Sequence, residues 1–426
     1  MKSYRIPALL DTCRGKLGAK LLIMMEKLET TCCIAGGGPA GMMLGLLLAR
    51  AGIRVIVLEK HADFLRDFRG DTIHPSTLEV LYELGLLDAF LELPHQKTYH
   101  LGAYIEDTEI PFADFSHLPV RCKFIAFIPQ WDFLNFLARE GRRYPTFDLR
   151  MQCAAFDLVE ESGRVAGVQV KTPDGQLEIR ADLVVAADGR SSILRERAGL
   201  AVQNQGAPMD VLWFSLPRRA GDPEQSMGRF AAQQLFVLIQ RGDYWQCGYV
   251  IAKGAMAEIR VRGIEAFRAG IAAIAPFLGD RVEVLRDWKD ISLLSVRVDR
   301  LKQWYREGLL CIGDAAHAMS PVGGVGINLA IQDAVAAANQ IAGPLRLGKL
   351  GVDHLRRVQR RRELPTRLTQ GLQVAIQNRI ISRVLKAGEK LKPPPVLRLF
   401  ARFPILRRIP ARLIGMGFRP EHVAAR

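Results

Sequence analysis

The sequence predicts an α/β protein with a doubly wound domain, an inserted domain of antiparallel β-sheet and a C-terminal helical region. A strand, a glycine turn, a helix and a second strand follow one another from residue 31, and isolated apolar runs of strand length return at 181–187 and 308–312. Such units form parallel sheets that helices cover on both faces. Between the two later runs, residues 207–252 alternate apolar and polar side chains, which indicates antiparallel strands.

The first half of the chain supplies most of the predicted doubly wound domain. Short runs rich in Val, Ile and Cys indicate buried strands, and leucines at helical spacing indicate helices. In chain order, the predicted elements are the strand Thr31–Ala35, the helix Pro39–Ala51, the strand Arg54–Leu58, the helix Pro75–Phe90, short alternating stretches over 99–130, the helix Trp131–Arg139, hairpin-like runs over 151–180 with a turn at 173–175, and the strand Ala181–Ala187.

The second half begins with antiparallel sheet. The runs Leu235–Ile239 and Tyr244–Ile251 flank Arg241-Gly242-Asp243, which is a hairpin signal. The strand Gly308–Ile312 then returns to the first domain, and a glycine-rich loop leads into the helix Ile327–Ile341. The tail is predicted to be helical and to be broken by the prolines at 393–395, 404 and 410.

Composition narrows the class of protein. No window approaches the roughly 18 to 20 uninterrupted apolar residues of a membrane span, and the N-terminus lacks the apolar stretch of a signal peptide. The seven cysteines include no C-x-x-C pair, which argues against a disulfide framework, a zinc ribbon and a dithiol redox centre. We therefore expect a cytoplasmic protein without a metal site.

The formal net charge of +15 belongs to the C-terminal region alone. From His354 to the end there are 18 Lys and Arg against three acids, and the rest of the chain has 41 of each sign. No nucleic-acid motif accompanies this charge, so we predict no nucleic-acid partner. The sequence carries no signal for an oligomeric state.

A glycine motif marks the first turn of the chain. Gly36, Gly38 and Gly41 follow a strand and open a helix, and Glu59 ends the next strand 18 residues past the last glycine. Glycines at these places permit a tight turn and close approach of a pyrophosphate, and the acid can accept hydrogen bonds from a ribose. A tight turn without a ligand is the alternative, but strand, helix and acid together predict a Rossmann-like dinucleotide site.

Two further strands end in similar motifs. Asp188 and Gly189 close one apolar run, and Gly313 and Asp314 close another. Ligands of open α/β sheets bind at the carboxyl ends of the strands, so we expect all three motifs to meet in one crevice.

Together the three motifs resemble the p-hydroxybenzoate hydroxylase-like family, the single-component monooxygenases that use FAD. The resemblance spans about residues 30–345. It implies an FAD-binding domain in three parts, 28–100, 126–205 and 291–345. Substrate-domain strands at 101–125, a substrate domain at 206–290 and a basic C-terminal helical region at 346–426 complete the predicted division.

The resemblance also implies roles for individual residues. The glycine motif would bind the FAD pyrophosphate, Glu59 the adenosine ribose, and Asp314 the ribityl chain, while Asp188 is associated with both FAD and NAD(P)H. The loop 321–328 resembles the family's flavin-ring loop. The residues implied to bind the cofactor are Gly36, Gly38, Pro39, Ala40, Gly41, Glu59, Lys60, Arg69, Gln130, Asp188, Gly189, Gly313, Asp314, Gly324, Gly326, Ile327 and Asn328.

The reaction implied by the resemblance is aromatic hydroxylation. Reduced flavin, formed by transient NAD(P)H, captures O2 as a hydroperoxide that donates hydroxyl to an electron-rich aromatic small molecule. The chain has no second G-x-G-x-x-G, and so no dedicated NAD(P)H domain. A reductase or dehydrogenase of the same fold acting on a prenyl or quinone-type substrate, and a non-catalytic binding protein, are the alternatives.

Candidate catalytic and substrate residues are few. Pro321 resembles the family position near the flavin and substrate, and His317 or His74 is a candidate proton relay. Trp213, Phe236 and Tyr249 are candidates for an apolar substrate pocket. Since side chains alternate along a strand, roughly half of such residues are expected to face the core instead.

The basic tail has two interpretations. Residues 396–426 combine seven arginines and one acid with Leu, Phe and Ile, a composition that suits weak contact with an anionic membrane surface. Alternatively, the arginine stems lie against the body of the protein and their heads point to water or to helix carbonyls. The prolines, which interrupt any long helix, favour the second interpretation.

Overall fold

A computed structural model describes residues 26–65 and 72–424. In chain order its strands are β1 (Glu26–Ala35), β2 (Val55–Leu58), β3 (Thr72–Ile73), β4 (Gln96–Thr98), β5 (His100–Ile105), β6 (Thr108–Asp114), β7 (Ile125–Phe127), β8 (Phe147–Arg150), β9 (Ala154–Glu161), β10 (Arg164–Thr172), β11 (Gly175–Ala186), β12 (Val202–Asn204), β13 (Met209–Pro217), β14 (Met227–Ala231), β15 (Gln234–Gln240), β16 (Tyr244–Ala252), β17 (Ser292–Leu294), β18 (Asp299–Leu301), β19 (Tyr305–Arg306) and β20 (Leu309–Cys311).

Helices connect and cover these strands. They are α1 (Pro39–Arg50), α2 (Pro75–Glu83), α3 (Leu87–Leu91), α4 (Gln130–Gly141), α5 (Ile193–Arg197), α6 (Met256–Arg262), α7 (Ile264–Ile274), α8 (Gly326–Arg346), α9 (Val352–Ile376), α10 (Ser382–Lys386), α11 (Pro395–Arg402) and α12 (Arg408–Gly415). A π-helical segment, Gln377–Ile381, joins α9 to α10. None of the described helices is long and apolar enough to cross a membrane.

The main sheet has the order β19-β20-β11-β1-β2-β8, with β10 and β9 continuing from β11. Its centre is parallel, since Cys32 of β1 pairs in register with Leu183 of β11 and with Val55 of β2. The carboxyl-terminal parts of these strands are apolar because helices α1 and α8 cover one face and a second apolar cluster covers the other. The predicted doubly wound α/β class is confirmed.

The second sheet has the order β17-β13-β16-β15-β14-β5-β6. It is antiparallel except where β5 runs parallel to β14. Helix α7 packs against one face, and the opposite face is lined by apolar side chains that point towards the main domain. The sheet therefore separates a closed core from an open compartment.

Some element boundaries differ from the sequence prediction. The predicted helix Pro75–Phe90 is two helices, α2 and α3, because Gly85 adopts a φ of 73° and ends the first. The predicted strand Ala181–Ala187 is the end of the longer β11. Pro410 does not break the tail, since it lies in the first turn of α12, where proline is tolerated.

Candidate active site

One cavity of about 2140 Å³ runs along the carboxyl edge of the main sheet and continues beneath the second sheet. It begins where β1, β2 and β11 end. Many of the sequence-predicted residues lie in its lining, namely Gly36, Gly38, Pro39, Ala40, Glu59, Lys60, Gln130, Asp188, Gly189, Trp213, Asp314, Pro321, Gly324, Gly326 and Ile327. Gly41, Gly313, Asn328, His317, Phe236 and Tyr249 are not among the lining residues, and Arg69 lies outside the described residues.

The glycine turn at the start of the cavity serves two purposes. Gly36 has a φ of 116°, and a Cβ there would lie 2.2 Å from the carbonyl oxygen of Ala187, so the chain itself requires glycine. A Cβ at Gly38 would meet no atom within 4 Å, because this glycine faces the open cavity. Gly38 is also the N-cap of α1 and provides no side-chain cap, which leaves N–H groups of the first turn available to an anion.

Glu59 sits beside this turn at the end of β2. It is 8% exposed, and its carboxylate accepts hydrogen bonds from the backbone N–H groups of Gly37 at 3.2 Å and His61 at 3.0 Å. A carboxylate has about four lone-pair sites, so further hydrogen bonds from a ribose fit this position.

Asp188 provides a buried acceptor at the end of β11. Its Oδ2 accepts hydrogen bonds from the backbone N–H groups of Ile193 at 3.0 Å and Leu194 at 3.3 Å. Its Oδ1 has no hydrogen-bond partner within the described part of the chain, and burial raises the pKa of this carboxyl group. Buried polar atoms are normally paired, so an unpaired oxygen in the cavity lining is consistent with a bound ligand.

The Asp188 and Asp314 motifs meet across the cavity. Arg190 Nη2 lies 3.9 Å from Asp314 Oδ2. Gly313, directly before Asp314, is packed below the surface, where a Cβ would lie 3.1 Å from the Cβ of Ala40 in the glycine turn. All three sequence motifs therefore converge at one edge of the sheet, as expected.

The loop Pro321–Gly326 borders the next part of the cavity. A Cβ at Gly324 would lie 2.5 Å from Thr72 Oγ1, and this hydroxyl donates to the Gly324 carbonyl at 2.9 Å. Asn328 holds the loop in place by hydrogen bonds. Its Nδ2 donates to the carbonyls of Thr72 and Gly324 at 3.0 and 3.3 Å. Its Oδ1 accepts from the His74 N–H at 2.8 Å. Asn328 is thus placed to hold the loop and not to line the cavity.

The second sheet forms the apolar part of the cavity. Trp213 lies on this face, and a Cβ at its cross-strand neighbour Gly248 would lie only 3.1 Å from the indole ring. Phe236 and Tyr249 lie on the other face, packed with Phe267 of α7, so the structure does not place them at the substrate face. Side chains alternate between the two faces of a strand, and the sequence does not show which set faces the cavity. This explains why Trp213 lines the cavity and Phe236 and Tyr249 do not.

The two candidate histidines are placed differently. His317 is 1% exposed and pairs through Nε2 with Asp333 at 2.6 Å, so the structure does not bring it to the cavity as a catalytic group. His74 belongs to the lining. Its Nδ1 lies 2.7 Å from the Ile414 carbonyl and therefore carries the hydrogen, while Nε2 has no partner within the described residues. Burial lowers the pKa of His74 to about 4.

Residues 391–418, which we call the C-terminal cover, contribute several side chains to the cavity lining. The described cover includes α11 and α12, and its lining side chains include Leu391, Leu397, Phe400, Leu413 and Phe418. Its packing partners include β6 and the segment Phe115–His117. Sequence reasoning missed this role, although the apolar residues of the tail were its visible signal.

A glycine turn at a helix N-terminus, two acidic motifs and a glycine loop along one sheet edge define a protein that binds a dinucleotide beside an apolar compartment. The family model described as "FAD binding domain" matches residues 29–370, and the chain belongs to that family. The predicted family and cofactor are thereby confirmed.

Two curated relatives are similar over most of the chain. The 6-methylpretetramide 4-monooxygenase of Streptomyces rimosus is 32% identical over 90% of this chain and 92% of its own. The rifampicin monooxygenase of Streptomyces venezuelae is 28% identical over 71% of this chain, which spans 61% of that protein. With the family match, these relatives identify an FAD-dependent monooxygenase.

Solved structures share the fold. The anhydrotetracycline hydroxylase of Streptomyces rimosus superposes with a TM-score of 0.71 at 24% identity, covering 91% of this chain and 76% of that one. The p-nitrophenol 4-monooxygenase of Pseudomonas putida superposes with a TM-score of 0.73 at 19% identity, covering 91% and 97%.

Proposed function

We propose that the protein uses FAD, NAD(P)H and O2 to hydroxylate a polycyclic aromatic small molecule of polyketide type. The observation that carries this proposal is the single cavity of about 2140 Å³, which joins the dinucleotide edge of the main sheet to the apolar face of the second sheet. Pockets for one ligand commonly measure about 300 to 1,000 Å³, so this volume accommodates a dinucleotide and a second, multi-ring ligand. The substrate named for the 32% identical relative, 6-methylpretetramide, supports the same substrate class.

The residues of the sheet edge fit FAD. The turn Gly36–Gly41 would hold the pyrophosphate, Glu59 a ribose, and Asp314 the ribityl chain. The flavin ring would lie against the loop Pro321–Gly326, whose N–H groups precede α8 and favour negative charge on the ring. When bound, FAD accepts hydride from NAD(P)H and activates O2 for transfer of one oxygen atom to the substrate.

His74, a buried residue of the cavity lining, is the candidate hydrogen-bond partner of a substrate hydroxyl group. Because Nδ1 donates to the Ile414 carbonyl, the neutral ring presents its lone pair at Nε2. The pKa of about 4 keeps this ring neutral at pH 7, so Nε2 would serve as a hydrogen-bond acceptor for a phenolic hydroxyl and not as the base that removes its proton. His317 pairs with Asp333 inside the protein, so we assign it no contact with the substrate.

The substrate would be held by shape and by charge. Trp213 and the aliphatic side chains around it provide a flat apolar wall suited to fused rings. The acidic residues of the described lining, Glu59, Asp188 and Asp314, all lie at the dinucleotide edge. Arg379 and Arg383 line the opposite end, which favours a substrate with ionisable phenol or enol groups. The C-terminal cover excludes water from this compartment.

The test is turnover by the purified yellow protein. Phenols, quinone precursors and polycyclic polyketides are screened for stimulated NAD(P)H oxidation, and products are analysed by mass spectrometry under ¹⁸O₂. The proposal expects one labelled oxygen atom in the product of a multi-ring substrate. Stimulated oxidation that gives only peroxide, or an unlabelled product formed without oxygen, would contradict it.

A second proposal concerns the outer surface of the C-terminal cover, which we infer makes weak contact with anionic membrane. Three apolar side chains there are exposed by 45% to 64%: Leu399, Phe403 and Ile405. Exposed arginines flank them, which is the pattern of an interfacial amphipathic helix. Arg407 follows the other interpretation of the tail, since it donates to the carbonyls of Phe400 and Ala401 at 2.8 and 2.9 Å.

Vesicle co-sedimentation tests this contact. We expect binding to vesicles containing phosphatidylserine at low salt, loss of binding at high salt, and weaker binding by the variant Phe403→Ser, Ile405→Ser. Vesicles of phosphatidylcholine alone are the control. Absence of binding to the anionic vesicles at low salt would refute the proposal.

A further inference from the structure

Three buried glutamines form a polar stripe at the C-terminal end of α9 and in the π-helical segment after it. Gln370, Gln373 and Gln377 are 2%, 3% and 0% exposed. Their spacing of three and four residues places them on one face of the helix. Burying an amide side chain costs free energy unless its hydrogen bonds to water are replaced. The hydrogen-bond partners of these glutamines therefore indicate the role of the stripe.

Most of the side-chain hydrogen bonds resolved for this stripe go to residues 299 and 318–322, and Gln370 Oε1 also accepts from Arg300 Nη1 at 2.9 Å. Gln370 Nε2 donates to the carbonyls of Asp299 at 2.8 Å and Ala318 at 3.1 Å. Gln373 Nε2 donates to the carbonyls of Ser320 and Val322, both at 2.9 Å, and its Oε1 accepts from the Ser320 N–H at 3.2 Å. Gln377 Nε2 donates to Ser320 Oγ.

The bonded segment has no secondary structure of its own. Residues 317–320 lie between β20 and the glycine loop without helix or strand, yet Ser320 is only 2% exposed. Buried irregular backbone needs partners for its N–H and C=O groups, and the glutamine stripe supplies them. The segment leads directly into Pro321 and the glycines of the loop that borders the cavity.

The same helix also borders the substrate end of the cavity. Three apolar side chains next to the glutamines belong to the cavity lining. Leu372 and Ile376 each stand one residue before a glutamine, and Ile380 stands three residues after one. The π-helical segment that begins at Gln377 is itself a feature found frequently at functional sites. One helical segment therefore contacts the loop with its amide stripe and the apolar compartment with neighbouring side chains.

We propose that Gln370, Gln373 and Gln377 are positioning residues that fix the Pro321–Gly324 loop, and with it the backbone groups presented to the flavin ring. The inference rests on the proposed placement of that ring at this loop. A substrate seated against Leu372 and Ile376 would act on the loop through the same helix. The stripe thus connects the two ends of the cavity.

A matched pair of variants tests this role. Gln359 is another buried glutamine of α9 that bonds backbone, since its Oε1 accepts from the Trp304 N–H at 3.0 Å and its Nε2 donates to the Lys302 carbonyl at 2.9 Å. It does not contact the loop. Gln373→Leu and Gln359→Leu therefore remove similar buried hydrogen bonds, and only the first reaches the cavity.

We expect both variants to unfold at lower temperature, because each leaves buried backbone groups unpaired. Only Gln373→Leu is expected to shift the visible absorption maxima of bound flavin and to weaken FAD binding by about three- to tenfold, the effect of one lost hydrogen bond. Equal spectra and equal FAD affinity in the two variants would overturn the proposal.

A milder variant covers the case in which Gln373→Leu does not fold. Ser320→Ala removes the hydroxyl that accepts from Gln377 and from the Val322 N–H at 3.3 Å, and leaves the backbone unchanged. The same spectral shift is expected, and an unshifted spectrum would overturn the proposal. Failure of the wild-type protein to bind FAD would instead refute the function on which the inference rests.

Discussion

The substitution Gly38→Ala adds one methyl group where the glycine turn faces the cavity. In the structure a Cβ at this position meets no atom within 4 Å, and φ is −75°, so the folded chain tolerates alanine without a clash. The only expected cost to the free protein is that of alanine at an N-cap, at most about 1 kcal/mol. Bound FAD changes this result, because its pyrophosphate would need the same space.

The magnitude follows from the hydrogen bonds that a displaced pyrophosphate would lose. Hydrogen bonds to charged groups contribute about 1.5 to 3 kcal/mol each, so losing two weakens binding by at least about 3 kcal/mol, or roughly 150-fold in Kd. The assay is titration of apoprotein with FAD by flavin fluorescence, together with thermal unfolding with and without FAD.

Gly351 provides the matched control. It is the N-cap of α9, and a Cβ there also meets nothing within 4 Å, but it is not in the cavity lining. Gly351→Ala should lower stability by about the same amount as Gly38→Ala and leave FAD affinity unchanged. The reasoning is refuted if Gly38→Ala binds FAD as tightly as the wild type.

Four further substitutions test the site and its surroundings. Phe236→Ala should destabilise the protein by about 3 to 5 kcal/mol, since Phe236 is fully buried. Trp213→Ala should instead mainly raise KM for a multi-ring substrate. Denaturant unfolding and steady-state kinetics check this contrast, and the reverse pattern would contradict it. His74 binds its proton in the unfolded chain near pH 6.5 but in the folded protein only near about 4, so stability is lost as pH falls from 6.5 to 4, by up to about 3 kcal/mol. His74→Gln should flatten this part of the curve, and parallel wild-type and variant stability curves would show the assignment to be wrong. Asp333→Asn removes the buried anion that pairs with His317 and one of the two that pair with Arg362, the other being Glu421, and should cost about 3 to 5 kcal/mol, so a variant as stable as the wild type would disprove the importance of this network.

The dinucleotide edge could be predicted from the sequence because its signals are local. A strand, three glycines and an acid at the end of the next strand stand within residues 31–59, and each has one physical reason to be there. The convergence of Asp188 and Asp314 followed from a general rule about strand ends. Gly85 is a local signal for the end of α2, but the leucine spacing continues past it and predicts one helix instead of two.

The substrate end was harder because its geometry depends on register and on distant segments. Whether Trp213 or Phe236 faces the cavity depends on which alternate set of side chains in each strand points to that side. The alternating pattern alone is compatible with either set. His317 finds its partner Asp333 on α8, and Gln373 finds Ser320 some 50 residues earlier. Such pairings appear only when the chain is folded, which is why the glutamine stripe had no sequence signal.

The most direct test of the account is a crystal structure of the protein grown with FAD. We expect one FAD molecule along the carboxyl edge of the main sheet, with its pyrophosphate at Gly38, its ribityl chain at Asp314 and its ring beside Pro321–Gly324, facing the compartment that Trp213 lines. A dinucleotide bound elsewhere, or a ring turned away from that compartment, would contradict it.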